Sequence, residues 1–249
     1  MCFVLKVKNK YRISIFATNF FKKMNNRIFT ILFLVISTCS YSQINELGVH
    51  VGGSNYIGDV GRETYLYPND FSYGLIYKWN FNPRVTFRVS ASYIKIKDND
   101  ADSSNEIRKI RGYSFKNSVK EAAIGIEFNY YDYSLVKEGW NSTPYIILEM
   151  ALFNYNVAKE QTAARKFATE QKTGFTVPFG IGYKTKLAGN IGIGFETKIR
   201  YTFKDNLDYN NTNIPALNFG NADSNDWYIT TGINIVFGFG RKGCYSGEL

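Results

Sequence analysis

Apolar residues recur with period two in about eight stretches of this chain, and the gaps between the stretches run long, short, long, short. A closed antiparallel barrel that crosses a membrane reads this way. Lipid-facing residues alternate with lumen-facing ones, and tight turns on one side alternate with long loops on the other. In Ile191-Gly192-Ile193-Gly194-Phe195-Glu196-Thr197-Lys198-Ile199-Arg200-Tyr201 the odd positions are apolar or Thr and the even ones Gly or charged. In Ala122–Tyr130, Ile124, Ile126, Phe128 and Tyr130 share one face, and Gly125, Glu127 and Asn129 the other. The spacing predicts strands near 44–53, 71–82, 84–97, 119–131, 143–155, 174–187, 190–203 and 226–239. Long loops are expected at 54–70, 98–118, 156–173 and 204–225, a medium connection at 132–142, and tight turns at Asn82-Pro83 and Ala188-Gly189-Asn190. The expected fold class is all-β, an eight-stranded antiparallel transmembrane β-barrel.

The two parities carry different chemistry. Outward positions are apolar, as in Leu47, Val49 and Val51 or Val85, Phe87 and Val89. The strand glycines Gly48, Gly52, Gly74, Gly125, Gly180, Gly182, Gly192, Gly194 and Gly232 all take the inward parity, where small residues relieve crowding in a narrow barrel. The same parity holds Lys78, Arg88, Glu127, Glu149, Lys184, Glu196, Lys198 and Arg200. Both signs are present, so a paired, filled lumen is expected rather than an open channel. Aromatic residues make up 17 % of the chain, which suits girdles at two membrane interfaces.

The formal charge of +9 does not describe the barrel. Residues 1–42 hold seven Lys and Arg and no Asp or Glu, so the remainder sits at about +2, and a nucleic-acid partner loses its support. Those residues read as an upstream extension plus a signal peptide. Lys22–Arg27 is a basic segment, Ile28–Ile36 an apolar one, and Ser40-Tyr41-Ser42 a cleavage site, with Met24 the expected start. The apolar run is shorter than the roughly 20 residues of a spanning helix. Cys39 offers a lipoprotein site, but Thr38 is a poor neighbour for one, and cleavage after Ser42 is preferred. The expected domain is then 43–249, a barrel with a short periplasmic C-terminal tail. Its single Cys244 cannot form an internal disulfide.

Chemistry-bearing constellations are sparse. His50 is the only histidine, and Ser54 lies nearby. Both fall on the lumen parity, away from the lipid that a lipid hydrolase would attack. Gly180-Ile181-Gly182 and Gly192-Ile193-Gly194 lack the helix and spacing of a phosphate loop. Asp98, Asp100, Asp102 and Glu106 lack the Gly and bidentate Glu of a calcium loop and read as a solvated outer loop. Asn141-Ser142-Thr143 matches a glycosylation sequon in a short connection. No catalytic residue, metal site, cofactor or small-molecule substrate is expected. Arg241, Lys242 and Cys244 form either a basic interfacial cap or a periplasmic contact tail.

Several segments together resemble the PorG family. They are Glu46-Leu47-Gly48-Val49 with Gly52–Asp59, Asn80–Arg84, Thr143-Pro144-Tyr145, Pro178–Gly182, Asp226-Trp227-Tyr228, and Gly240-Arg241-Lys242 with Cys244, all in that family's order. The richness in Asn, Ile and Lys suits a bacterium of the Bacteroidota. The resemblance implies an outer-membrane barrel subunit of the type IX secretion system that anchors or contacts a periplasmic ring of PorK and PorN type. Outer-membrane lipid is then the expected surrounding of the barrel. If the mature N-terminus starts in the periplasm, the long loops face outside, the short turns face inside, and both mature termini are periplasmic. A small OmpA-like envelope barrel or narrow porin is the alternative. The long N-terminal extension departs from the family pattern.

Overall fold

A computed structural model of the chain describes residues 44–136, 139–163, 166–219 and 224–240. The eight strands are β1 (Ile44–Ile57), β2 (Asp70–Asn80), β3 (Val85–Asn99), β4 (Ser114–Asn129), β5 (Ser142–Ala163), β6 (Lys166–Ala188), β7 (Ile191–Thr202) and β8 (Trp227–Gly240). Each pairs with its neighbours in sequence, and β1 pairs antiparallel with β8, closing the barrel. A short α-helix, α1 (Glu106–Arg111), stands in the β3–β4 loop after a 3-10 turn at Asp100–Asp102. Its first turn is capped by Asn105, whose side chain accepts the Ile107 N–H at 2.9 Å.

The tight turns follow from local chemistry. Asn82 Oδ1 accepts the N–H groups of Arg84 (2.8 Å) and Val85 (2.7 Å), a self-closed turn with Pro83 fixing φ inside it. Gly189 takes φ +51° between β6 and β7. One close approach also needs glycine. Gly52 faces Gly232 across the β1–β8 seam, and a Cβ on Gly232 would lie 2.6 Å from the Gly52 Cα.

Several strands run further than the apolar alternation foretold. Most of the loop expected at 156–173 is strand: β5 runs to Ala163 and β6 begins at Lys166, the two paired with irregularities between Ala158 and Glu160 and between Gln161 and Ala163. The expected 98–118 loop shrinks to 100–113 because β4 begins at Ser114, and β1 runs on to Ile57. The cause is an inversion of pattern. Within the membrane-sized part, Ile146, Leu148, Met150 and Leu152 of β5 point outward and are exposed. Beyond it the outward positions turn polar, at Asn154 and Asn156, while the inward Phe153, Tyr155 and Val157 become buried apolar groups. A spanning strand needs only about 9–11 residues, so the excess of β5 and β6 stands beyond the lipid. There the alternation is that of a protein in water.

The loop-end interior is therefore an apolar plug. Tyr56, Ile94, Ile96, Phe115, Val119, Phe153, Tyr155, Val157 and Tyr228 converge from the strands, and Val60 and Leu207 come in from loops. Past the last β4–β5 pair, at Lys120 and Asn154, side chains take over the β5 edge. Asn117 donates its amide to the Asn156 carbonyl (2.8 Å) and Asn211 to that of Ala158 (2.8 Å).

Candidate functional site

The outer surface defines one working face. Leu47, Leu75, Met150 and Phe237 stand 54 %, 61 %, 64 % and 55 % exposed, within a continuous apolar band around the barrel. Aromatic side chains border it. Trp79, Phe81 and Phe239 lie toward the turn end, and Tyr73, Tyr201 and Trp227 toward the loop end. Water does not tolerate so large a contiguous apolar surface; a bilayer requires it.

The lumen defines the other. All eight charged residues expected there are buried and brought together. Glu127 receives Lys78 (2.7 Å), Lys184 (2.5 Å) and Arg88 (3.2 Å). Arg88 forks onto both oxygens of Glu196, at 2.8 and 2.9 Å, and lies 3.3 Å from Glu149. Lys198 meets Glu149 at 3.2 Å. Arg200 forks onto Glu121 at 2.7 and 3.1 Å. With Glu46 and Glu121, five buried strand carboxylates face five buried strand cations. Sequence reading missed both of these Glu residues, although each shares the parity of a nearby lumen glycine, Gly48 or Gly125. Tyr145 and Tyr228 complete the layer by donating to Glu196 (3.0 Å) and Glu121 (2.7 Å).

His50 and Ser54 do not make a hydrolytic pair. His50 Nδ1 bonds Asn234 Oδ1 at 2.7 Å, while the Ser54 hydroxyl donates to the Lys95 carbonyl at 2.5 Å. The Asp98–Glu106 carboxylates are engaged in building a loop. Asp100 binds Arg111 (2.7 Å) and the N–H groups of Gly61 and Tyr113; Asp98 accepts the Arg62 N–H, Asp102 pairs with Arg62, and Glu106 pairs with Lys109. Burial pushes the Asp100 carboxyl up, but these partners more than reverse it and hold it below its ordinary value. Among the described residues no group of His, Cys, Asp and Glu could hold a metal ion. Arg241, Lys242 and Cys244 lie outside the described residues, as does the 1–42 segment.

The turn end is closed by a feature that sequence reading missed. The connection between β4 and β5 folds back over the lumen mouth. Its Tyr133 N–H donates to the Pro83 carbonyl (3.1 Å), and Leu135, fully buried, packs with Tyr133 and Val236. Gly192 and Gly238 leave the room that Leu135 fills: a Cβ on either would come within 2.9 Å of it. The Lys184 ammonium lies 4.5 Å from the Tyr133 ring centre, joining this stopper to the charged layer.

An eight-stranded antiparallel barrel with an apolar exterior and a polar, filled interior is a transmembrane barrel of the outer-membrane type. The chain belongs to the DUF6089 family, described as a domain of unknown function, whose model matches residues 25–248. No curated protein matches it. Among solved structures it is similar to Neisserial surface protein A (10 % identity, 79 % of this chain and 96 % of that one, TM-score 0.44). It is likewise similar to a major outer membrane protein from Thermus thermophilus (10 %, 80 % and 100 %, 0.45) and to Ail of Yersinia pestis in complex with sucrose octasulfate (12 %, 79 % and 99 %, 0.39).

Proposed function

We propose that this protein is an outer-membrane barrel with neither enzymatic nor channel activity, serving as an anchoring subunit of the type IX secretion system. The observation that carries the anchoring reading is the filled lumen. A layer of buried charged side chains, most of them ion-paired, lies between the apolar plug at the loop end and the Leu135 stopper at the turn end. A filled lumen supports a reading without conduction, and the apolar exterior is suited to holding a position in lipid.

The secretion role is supported by the ordered PorG-like segments. Several of them serve the barrel itself. Asn80–Arg84 makes a tight turn, Tyr145 enters the charged layer, and Asp226 accepts the Tyr56 hydroxyl and the Leu207 N–H. They argue for common descent, and the partner follows from that descent. On this reading both mature termini are periplasmic, and the contacts to a PorK/PorN-like ring are made by the turns at 81–84, 130–141 and 189–190 together with the Arg241, Lys242 and Cys244 tail.

The test is a cross-linked pull-down of the tagged protein from outer membranes, with partners identified by mass spectrometry. Ring components are expected, together with loss of type IX export on gene deletion. Normal export in the deletion strain sinks the secretion role and leaves a small envelope barrel. Planar-bilayer recording is expected to show no steady conductance, and a stable open pore would overturn the anchoring reading.

A further inference from the structure

The charge on the outer surface is uneven. On the outward face of β3 and β4, beyond the apolar band, stand Lys95, Lys97, Lys116 and Lys120. Lys97 sits directly opposite Lys116, and Lys120 opposite Tyr93. Like charges opposed across a strand pair destabilise it. One counter-charge is near, Asp70, 4.0 Å from Lys97. Lys95, Lys116 and Lys120 make no ion pair among the described residues. At the loop end of β7 and β8 the outward residues are Ile199, Tyr201 and Trp227, without a cation.

Below the lysines the wall is hollowed. Ala91 and Ala122 face each other on β3 and β4, and the larger Tyr73, Leu75, Tyr93 and Leu152 stand around them. They bound an open groove of about 790 Å³ with Lys120 on its rim. Above it, Lys97 and Lys116 join Arg62, Tyr67 and the carboxylates of Asp98 and Asp102 around a second, polar hollow of about 600 Å³, where Arg62 is already paired with Asp102. An apolar trough thus leads to a cluster of cations and then to a polar recess.

We propose that this face binds one phosphorylated lipid of the surrounding leaflet. An acyl chain lies in the Ala91–Ala122 groove, and the phosphate is held by Lys95, Lys116 and Lys120. A phosphate supplies a negative charge to Lys95, Lys116 and Lys120, which have no ion-pair partner among the described residues, at an interface where water is scarce and the attraction is weakly screened. The proposal rests on the reading of the chain as a membrane barrel with its loops outward, because only then does this face meet lipid headgroups.

The purified full-length barrel is refolded into detergent, then titrated with a bis-phosphorylated lipid A and with its dephosphorylated form. Bound lipid is counted by native mass spectrometry. The phosphorylated form is expected to bind at least tenfold more tightly. The triple variant K95Q/K116Q/K120Q should lose that preference, and Ala122→Leu, which fills the groove while leaving the lysines, should weaken both forms. Equal binding of the two lipids, an unaffected triple variant, or equal binding of the soluble phosphorylated headgroup without its chains overturns the proposal. Heat-modifiable migration and insertion into vesicles are measured on the same samples. A barrel that inserts but shows no lipid preference removes only this site, whereas one that does not insert removes the membrane reading itself.

Discussion

The membrane-level lumen and the loop-end plug lie in one barrel, yet they solve the problem of a closed interior in opposite ways. In the lumen, charge is buried with its counter-charge: every carboxylate of the Arg88 and Arg200 clusters touches a cation. At the loop end, apolar side chains fill the space, and among the described residues the buried acids outnumber the cations beside them. Asp59, Asp98, Asp100, Asp208 and Asp226 are all buried there. Arg111 is the cation that bonds into this group, at Asp100 and at the Asp59 carbonyl, while Asp98 accepts the main-chain N–H of Arg62. Lipid outside forces polar groups inward, whereas water outside lets apolar groups go inward. The interior of each region is therefore set by the solvent against its wall.

That contrast can be broken most strongly at Arg88. Arg88→Met leaves Glu196, Glu127 and Glu149 buried with one cation fewer, and removal of one partner from a buried ion pair costs about 3–5 kcal/mol. Urea unfolding of the refolded barrel should show the whole barrel losing stability. Phe153→Ala acts on the other region. It opens a cavity in the plug worth roughly 3 kcal/mol, and amide exchange should quicken at the loop end while the membrane-level strands stay protected. Uniform quickening along β5 would show that the regions unfold as one.

Tyr228 stands where the two meet, ringed by Phe153 and bonded through its hydroxyl to Glu121 at 2.7 Å. Tyr228→Phe keeps the packing and removes a hydrogen bond to a charged group, a loss of about 1.5–3 kcal/mol. Denaturant unfolding of this variant, set beside that of Phe153→Ala, separates the polar from the apolar contribution at the boundary.

The smallest effect expected is with pH. Burial, then the charges of Asp59 and Asp208, pushes the Asp205 carboxyl up to about 7, and burial pushes that of Asp208 up to about 6. A carboxyl whose folded value lies above the ordinary 3.8 binds its proton more tightly folded than unfolded. The part of loop-end stability that these two carboxyls contribute is therefore fully present below about pH 4 and is lost as pH rises to about 7. Amide exchange across 204–219, corrected for intrinsic rates, should follow that course, and Asp205→Asn should flatten it.

Much of the lumen was legible in the sequence because one rule, apolar outward and polar inward, holds for as long as lipid lies outside. Lys78 through Arg200 were placed by parity alone, and all are buried as that parity requires. The same rule misled at 156–173, because the outward register turns polar at Asn154 and Asn156 while the strand goes on. In fact they mark the end of the membrane. Leu135 was hidden for another reason. Its burial depends on Gly192 and Gly238, which are distant in sequence, and the segment around it has no period to read. The Asp59–Asp205–Asp208–Asp226 grouping likewise arises only when separate loops are folded together.

The two asparagines along the upper β5 edge have a bearing on how copies of this protein coexist. A projecting hairpin normally offers its free edge as a template on which another chain can add a strand. Here the carbonyls of Asn156 and Ala158 already accept amides from Asn117 and Asn211. A neighbour drifting past in a crowded membrane finds these two acceptors already occupied, so this stretch of the β5 rim is a poorer template for edge-to-edge pairing than a bare strand would be.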